Sequence, residues 1–515
     1  MNAQTAHGQN GVVATGHALA SEVALDVLKQ GGNAVDAAVA AALVLSVVCP
    51  YASTLGGDFY ALVYEPKTGA TSGLNGTGRS PLAVNRERFA AGIPGNGPVS
   101  ATVPGLLRGV ADLLARFGTR DLGALLRPAI RLAEQGFVVH RQLAANTAER
   151  AELLAKDPGA SALLLPGGKP LAEGARFAQP DLARVLREIA EHGVERFYHG
   201  EIAARMVASC ARIGGLLTAE DFAIHASLWQ APITAPFYGH EVLTMPPNSY
   251  GATLLFQLLE LEAGKIGAID PNSPDFALRG YEARRSAYRY AGAMIADPRL
   301  VEGEVRNLLA AAIGNSGRPE AHQAAMPLEA RDRCTTCATV IDRDGMAVSL
   351  IESVSAPYGA GVVLEGTGIL LNNRLAGFNT DPASANCIVP AKRPANTLAP
   401  CLVTKNGRLA MSIGTPGTVG QTCTLAQFLA RVLACGEDPA AAAAAPRWSV
   451  DFQGKLVLED AMDEGLRAAI CARNAEAKIM RTGWISFGSI KLAMVSDDGF
   501  IGVADQRRAA TTLAW

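Results

Sequence analysis

The sequence RCTTCATVIDRDGMAVSLIESVSAPYGAGVVLEGTGILLNNRLAGF occupies residues 333–378 and contains two strand-like segments joined by a turn. Residues 335–341 are rich in β-branched and small side chains, and residues 346–354 mix apolar with small polar ones. Between them, Asp-Arg-Asp-Gly at 342–345 has the composition of a tight hairpin turn. The pattern predicts a hairpin in the middle of a sheet, with the hydroxyl of Thr335 at the head of its first strand.

The chemistry of this stretch depends on what could activate the Thr335 hydroxyl. A neutral threonine is a poor nucleophile and needs an adjacent base. The last of the eight histidines is His322, so none follows Thr335, and the sequence contains no G-x-S-x-G motif. The threonine's own α-amine, which titrates near neutral pH, can serve as the base only if the chain is cut before it. On the residues alone, the alternative is a Thr pair chosen for its β-propensity.

Length and composition exclude several classes of protein. The chain has 515 residues, a formal net charge of −2 and no basic run, so we expect no nucleic-acid partner. The longest apolar run, residues 37–48, is too short to span a bilayer, and the N-terminus lacks the features of a secretory signal. Nine scattered cysteines are typical of free buried thiols in a reducing compartment. The sequence therefore predicts a cytoplasmic protein without a membrane partner.

Cys334 and Cys337 form a C-x-x-C motif, which is compatible with a redox pair or half of a zinc site. No second pair and no nearby histidine completes a set of zinc ligands. We therefore predict no metal and no cofactor.

Periodicity predicts strands at both ends of the chain and helices between them. Hydrophobic patterns and capping residues predict helices over 18–29, 34–48 (capped by Asn33), 105–117, 122–136, 141–155, 180–193, 201–213, 252–265, 275–296, 422–435 and 439–445. Asp-Gly at 344–345, Asn-Gly at 406–407 and Asp-Gly at 498–499 predict tight antiparallel turns. Residues 306–326 are polar and weakly patterned, so we expect them to be exposed. The predicted architecture is α+β, with two facing sheets covered by helices in one structural domain.

Nine motifs are spread along nearly the whole chain: GGNAVDAAVAAALVLSVV (31–48), TVPG (102–105), GGLLTAEDF (214–222), TMPPNSYG (244–251), TTxxxVIDRDGMAVSL (335–350), EGTGILLNN (365–373), KRPANTLAP (392–400), GTPGT (414–418) and ADQRR (504–508). In this order they resemble the γ-glutamyltranspeptidase family of N-terminal-nucleophile hydrolases. The resemblance implies a four-layer αββα sandwich and self-cleavage between Cys334 and Thr335. Residues 1–334 would then form a large fragment and 335–515 a small one, held together as a heterodimer that shares one structural domain.

The resemblance also assigns catalytic roles to four residues. Thr335 matches the nucleophile, and Ser353 matches a hydroxyl residue that hydrogen-bonds the nucleophile's amine, although an ordinary strand serine is the alternative. Gly417 and Thr418 match the turn whose backbone N–H groups form the oxyanion hole. Thr418 stands where the family has a second glycine, but the backbone donor remains.

The substrate pocket departs from the γ-glutamyl pattern. The Asn, Gln and Asp that hold a glutamyl α-amine in the family match Ser355, Arg374 and Gly377, so an acid is lost and a guanidinium gained. The family's carboxylate-binding Arg falls at Thr77, with Arg79 two residues on. Two serines become Asn396 and Thr397, which can still donate hydrogen bonds.

Because a guanidinium recognises a carboxylate through two parallel hydrogen bonds, these changes favour a small amide that carries a carboxylate. This pattern resembles the cytosolic branch represented by oxamate amidohydrolase, which splits oxamate to oxalate and ammonia in purine degradation. The alternatives are a γ-glutamyl hydrolase or transpeptidase acting on glutathione-like substrates, and a non-catalytic relative that binds a small acid. A surface salt bridge is the other interpretation of Arg374.

Overall fold

Two seven-stranded antiparallel sheets face each other and carry helices on their outer faces. The structure is a computed structural model that describes residues 2–291, 295–314 and 334–515. The helix–sheet–sheet–helix order is the four-layer αββα sandwich that the resemblance implies.

The strands of the described residues are β1 (Ala3–Gly8), β2 (Gly11–Thr15), β3 (Asp58–Glu65), β4 (Ala70–Asn75), β5 (Phe137–Val138), β6 (Arg176–Phe177), β7 (Leu228–Gln230), β8 (Ile233–Phe237), β9 (His240–Thr244), β10 (Cys334–Asp342), β11 (Ala347–Ser355), β12 (Val363–Leu364), β13 (Ile369–Leu370), β14 (Cys401–Lys405), β15 (Arg408–Gly414), β16 (Trp448–Val450), β17 (Leu456–Glu459), β18 (Lys478–Met480), β19 (Lys491–Ser496), β20 (Gly499–Asp505) and β21 (Thr511–Ala514). Sheet I has the order β1-β20-β19-β15-β14-β9-β8, and sheet II has the order β21-β2-β10-β11-β3-β4-β7.

The helices are α1 (Ala18–Lys29), α2 (Ala34–Val48), α3 (Leu106–Phe117), α4 (Leu122–Gln135), α5 (Arg141–Glu149), α6 (Ala151–Leu154), α7 (Pro158–Leu164), α8 (Pro180–His192), α9 (Glu195–Tyr198), α10 (Glu201–Arg212), α11 (Ala219–Ala223), α12 (Gly251–Ala263), α13 (Pro274–Ala291), α14 (Pro298–Ile313), α15 (Gln421–Leu429), α16 (Pro439–Ala444) and α17 (Glu464–Arg473). Helices α1 to α4, α8 and α10 cover sheet II, and α12 to α16 cover sheet I.

Successive residues of the sheet II strands face different layers, either the covering helices or the core between the two sheets. On β2, Val13 packs against the helices over sheet II, whereas its neighbour Val12 lies in the core between the two sheets. On β10, Val340 packs on the helices, and Cys337 and Ile341 face sheet I. Because successive strand residues point to opposite faces, a strand buried on both sides is apolar at nearly every position. This explains why β10 and β11 show no polar–apolar alternation.

Helix α2 is confirmed with the predicted bounds. The Asn33 side chain accepts from the backbone N–H of Asp36, whose carboxylate accepts in return from the Asn33 N–H. Such a reciprocal cap satisfies two donors that the first turn leaves free. Every residue of α2 is buried, so this helix forms the centre of the layer over sheet II.

The three predicted hairpins are confirmed, whereas one predicted helix is divided and one helix was not predicted. Turns after β10, β14 and β19 join antiparallel neighbours. The segment 141–155 is not one helix, because it breaks at Arg150 between α5 and α6. Residues 306–313 form the second half of the unpredicted helix α14. Leu309 is buried in the sheet I helix layer, whereas residues 307, 310 and 313 are exposed as expected. The remainder of that prediction, residues 315–326, lies outside the described residues.

Among the helices of the described residues, none has the length and apolar character of a membrane span. The cysteines of the described part form no disulfide, and seven of the nine are buried.

Candidate active site

Thr335 lies at the head of β10, in the middle of sheet II between β2 and β11. The register of β10 against β11 shifts between Cys334 and Thr336, so that two residues of β11, Ser353 and Val354, stand opposite the single residue Thr335 in a bulge. Bulges redirect a side chain and frequently occur beside active sites. The Thr335 side chain is buried, and the chain continues through the peptide bond that joins it to Cys334.

The hydroxyl of Ser353 connects Thr335 to the carbonyl of the preceding residue. Thr335 Oγ1 donates to Ser353 Oγ at 3.4 Å, and Ser353 Oγ donates to the Cys334 carbonyl oxygen at 2.6 Å. The backbone N–H of Ser355 donates to the same Ser353 oxygen at 2.8 Å. Ser353 therefore contacts both the hydroxyl that would attack and the carbonyl that would be attacked.

The turn at residues 414–418 leads from β15 into α15, and it lies against β10. A Cβ atom built on Gly414 would stand 3.0 Å from the Cys337 Sγ, two residues after Thr335. Gly417 has a φ of +143° and Thr418 a φ of +55°, both in the region that favours glycine. Within the described part of the chain, neither of their N–H groups has a hydrogen-bond acceptor in the protein. The turn thus offers two backbone donors.

Arg374 is fully buried, so the surface salt bridge is wrong as an interpretation. Its Nε donates to Asp58 Oδ2 at 2.6 Å, and both side chains have no exposed surface. Its two terminal nitrogens, Nη1 and Nη2, have no hydrogen-bond partner among the described residues. The guanidinium therefore presents an unoccupied two-pronged donor edge. Gly377 replaces the family's acid, but Asp58 of β3 brings a different carboxylate to this guanidinium.

Asp58 organises the surroundings of Arg374. Its Oδ1 accepts from the Gly78 N–H at 2.9 Å, and its Oδ2 also accepts from Asn396 Nδ2 at 3.1 Å. Thr397 is buried beside Asn396. Asp58 lies directly opposite Ser353 in the pairing of β3 with β11, which connects this cluster to the head of β10. Sequence reasoning missed Asp58, although an acid at the head of an apolar strand was a visible signal.

Ser355 and Arg79 contribute differently from the sequence expectation. Ser355 ends β11 with a φ of +80°, and its backbone N–H, rather than its hydroxyl, donates to Ser353 Oγ. Arg79 lies in another group of charges, where burial and the Arg299 guanidinium lower its pKa and Asp297 raises it. Nothing in these contacts connects Arg79 with Arg374, so its predicted share in carboxylate binding lacks structural support.

A cavity of about 640 Å³ opens at Cys334, on the N-terminal side of Thr335. Its wall includes His140, Arg141, Arg481, Trp484 and Arg508. Burial lowers the pKa of His140, so this ring is neutral at pH 7. The described residues contain no group of three or more His, Cys, Asp or Glu side chains that could hold a metal ion.

Comparison with known proteins agrees with this geometry. The model of the gamma-glutamyltranspeptidase family matches residues 20–515. The chain belongs to this family. It is therefore an enzyme of the N-terminal-nucleophile type that acts on amide bonds, with the α+β sandwich that such hydrolases share.

Individual relatives of this family are named for different activities. The glutathione hydrolase-like YwrD proenzyme of Bacillus subtilis strain 168 is 36% identical over 446 residues, 86% of this chain and 85% of that one. The oxamate amidohydrolase proenzyme of Klebsiella pneumoniae is 32% identical, with 85% of each chain covered. The crystal structure of cephalosporin acylase from Bacillus halodurans superimposes with a TM-score of 0.90 at 30% identity, covering 100% of this chain and 97% of that one.

Proposed function

We propose that the chain cleaves itself before Thr335 and then acts as an amidohydrolase on a small substrate that carries a carboxylate. The observation that carries the proposal is the position of the Ser353 hydroxyl, which contacts both the Thr335 hydroxyl and the Cys334 carbonyl. An ordinary strand serine would not need both contacts.

Self-cleavage follows from that arrangement. Thr335 Oγ adds to the Cys334 carbonyl carbon, and the Ser353 O–H donates to the oxygen as negative charge develops there. The C–N bond then breaks, the proton lost by the Thr335 hydroxyl ends on the nitrogen, and Cys334 is left as an ester on Thr335. Water adds to the ester, releases the Cys334 carboxylate and restores the hydroxyl. The two products, residues 1–334 and 335–515, stay together because their strands share both sheets.

Turnover uses the amine that cleavage creates. The α-amine of Thr335 takes the proton from its own hydroxyl, and Oγ adds to the substrate amide carbon. The N–H groups of Gly417 and Thr418 donate to the oxyanion. The amine returns its proton to the leaving nitrogen, which departs as ammonia. Water then hydrolyses the acyl-enzyme and releases the acid.

The carboxylate of the substrate is proposed to bind the open edge of Arg374. Nη1 and Nη2 are buried and unpartnered, and Asp58 holds Nε so that this edge keeps one direction. Asn396 and Thr397 are proposed to line the same subsite, with Ser355 at its edge. Oxamate fits this description because its carboxylate adjoins its amide, and one relative is an oxamate amidohydrolase. The cytoplasmic location and a place in purine degradation stay predictions.

Two measurements test this proposal. A denaturing gel of purified protein should show fragments 1–334 and 335–515, and Thr335→Ala should leave a single band. The processed enzyme should release ammonia from oxamate but leave γ-glutamyl anilides intact. A single uncut band that retains full turnover would refute the mechanism.

A γ-glutamyl hydrolase acting on glutathione-like substrates is the second candidate. One relative is named glutathione hydrolase-like, which favours this candidate. Rapid glutathione turnover, with oxamate untouched, would select this candidate and refute the role given to Arg374.

A further inference from the structure

Lys491, the first residue of β19, is a buried lysine that no step above uses. Only 1% of its surface is exposed. Its ammonium donates to the Ser489 carbonyl oxygen at 3.1 Å and to Ser489 Oγ at 3.0 Å. Among the described residues it has no carboxylate partner within ion-pair distance. Burying a cation without a counter-ion is costly, so a lysine at this position calls for a physical reason.

The register of the sheets brings Lys491 near Thr335. Lys491 is directly opposite Gly414 in the pairing of β19 with β15, and Gly414 lies against Cys337 of β10. Cys337 belongs to the core between the sheets, and the Thr335 hydroxyl meets Ser353 on that same side. Alternate residues on a strand are about 7 Å apart. Thr335 is therefore about 7 Å along β10 from Cys337, a thiol whose pKa burial raises and the Lys491 charge lowers.

Hydrogen bonds also connect Lys491 with the turn at residues 414–418. The N–H of Ser489, the residue that holds the ammonium, donates to Thr415 Oγ1 at 3.0 Å. Thr415 Oγ1 donates in turn to the Pro416 carbonyl oxygen at 2.8 Å. Gly488 packs on the turn, since a Cβ on Gly417 would lie 3.3 Å from its Cα.

The other ionisable groups around Lys491 do not neutralise it. Burial raises the pKa of Cys337 to about 11 and that of Cys49 to about 12, so both thiols are neutral at pH 7. Burial likewise raises the pKa of Glu352 well above its usual range. The Asp505 carboxylate forms ion pairs with the guanidinium groups of Arg447 and Arg507, and Arg507 also pairs with Glu459. Burial lowers the pKa of Lys491, and so does the nearby Arg508 guanidinium, whereas Cys337 and Asp505 raise it.

We propose that Lys491 is a positioning residue: its charge keeps the Thr335 amine of the cleaved enzyme unprotonated, and its hydrogen bonds to Ser489 order the turn that carries Gly417 and Thr418. The inference rests on the proposed function. A like charge in a buried site disfavours protonation of an amine, so the base is available at lower pH than a free α-amine would be. The same positive field favours the oxyanion of the substrate.

The pH profile of kcat/KM tests this role. Lys491→Met removes the charge and keeps the length of the side chain. We expect the acid limb of the variant's kcat/KM profile to shift to higher pH by about one unit, because the Thr335 amine is then protonated more readily. At pH values on the acid side, kcat/KM should fall about tenfold, while cleavage into two fragments is retained. Lys392→Met is the matched control. Lys392 is also buried and donates to backbone carbonyls, but its ammonium lies over the Phe378 ring, in a different part of the molecule. The acid limb of the Lys392→Met profile should therefore match that of the wild type.

If the acid limb of the kcat/KM profile is the same for cleaved Lys491→Met as for the wild type, the inference is wrong and the Thr335 mechanism is unaffected. If Lys491→Met is not cleaved, Lys491→Arg decides. Arginine keeps the charge, so its acid limb should stay in place, and a limb that moved up would overturn the inference. Loss of activity in Thr335→Ala without any uncut precursor would instead count against the proposed function.

Discussion

The Ser353 hydroxyl donates a 2.6 Å hydrogen bond to the carbonyl oxygen of Cys334, the residue before Thr335. The sequence led us to expect Ser353 beside the amine of the nucleophile. In the continuous chain it contacts instead the carbonyl that self-cleavage would attack. One hydroxyl can therefore serve both stages, first at the Cys334 carbonyl and, once that carbonyl has left, at the new amine.

Ser353→Ala should slow self-cleavage about 10²–10³-fold, because removing one donor to a developing oxyanion has an effect of that size. A time course on denaturing gels, starting from freshly made precursor, measures the rate. Ser349→Ala is the matched control. Ser349 lies on the same strand, is buried, and also donates to a backbone carbonyl, that of Ile413. Equal cleavage rates in the two variants would show that the Cys334 contact has no part in the reaction.

The Asp58–Arg374 pair predicts strong coupling in stability. Arg374→Met leaves the Asp58 carboxylate buried without its cation, and Asp58→Ala leaves the guanidinium without its anion. Breaking a buried pair from one side costs about 3–5 kcal/mol of unfolding free energy, whereas removing both charges costs less than the sum. Urea unfolding of the single and double variants measures this. Additive losses would show that the two groups do not interact.

How much of the site was readable in the sequence depended on the separation of its parts. Thr335 and Ser353 share one hairpin, so the Asp-Gly turn was enough to place them side by side. Asp58 and Arg374 are 316 positions apart, and no local pattern encodes that contact. Lys491 was missed for the same reason, because its closeness to β10 follows from the packing of one sheet on the other. Local signals such as the Asn33 cap fixed the bounds of α2 but not what it covers.

Helix α14 is an element that the local sequence pattern did not reveal. Residues 306–313 are weakly patterned and were expected only to be exposed, but they continue a helix that buries Val305 and Leu309 in the sheet I helix layer. Burial of so few side chains leaves little periodicity to detect.

Gly417→Ala should reduce kcat about 10²–10³-fold with little change in KM, because the backbone at φ +143° must rotate and misalign the turn's N–H groups. A new Cβ would also lie 3.3 Å from Gly488 Cα. Gly407→Ala is the control. Gly407 has a φ of +74° in the hairpin between β14 and β15, with open space around it. That variant should lose about 1 kcal/mol of stability and keep kcat. Equal kcat values for both variants would rule out an oxyanion role for the turn.

Glu352 predicts a particular pH dependence of stability. It is fully buried, and burial raises its pKa well above the usual range, although the neighbouring Ser53 hydroxyl acts in the opposite direction. The folded state thus keeps a proton that the unfolded chain releases near pH 4.5. Its contribution to stability is therefore greatest below that pH and decreases as the pH rises toward the folded-state value.

Glu352→Gln removes this titration and keeps the shape of the side chain. We expect it to be more stable than the wild type at pH 7–9, with the difference shrinking toward pH 4, where both forms are neutral. Urea unfolding of the two proteins across this range, on uncleaved Thr335→Ala backgrounds to keep one chain, measures the difference. A variant that is less stable at every pH would show that the Glu352 carboxylate is ionised and held by a partner in the folded protein.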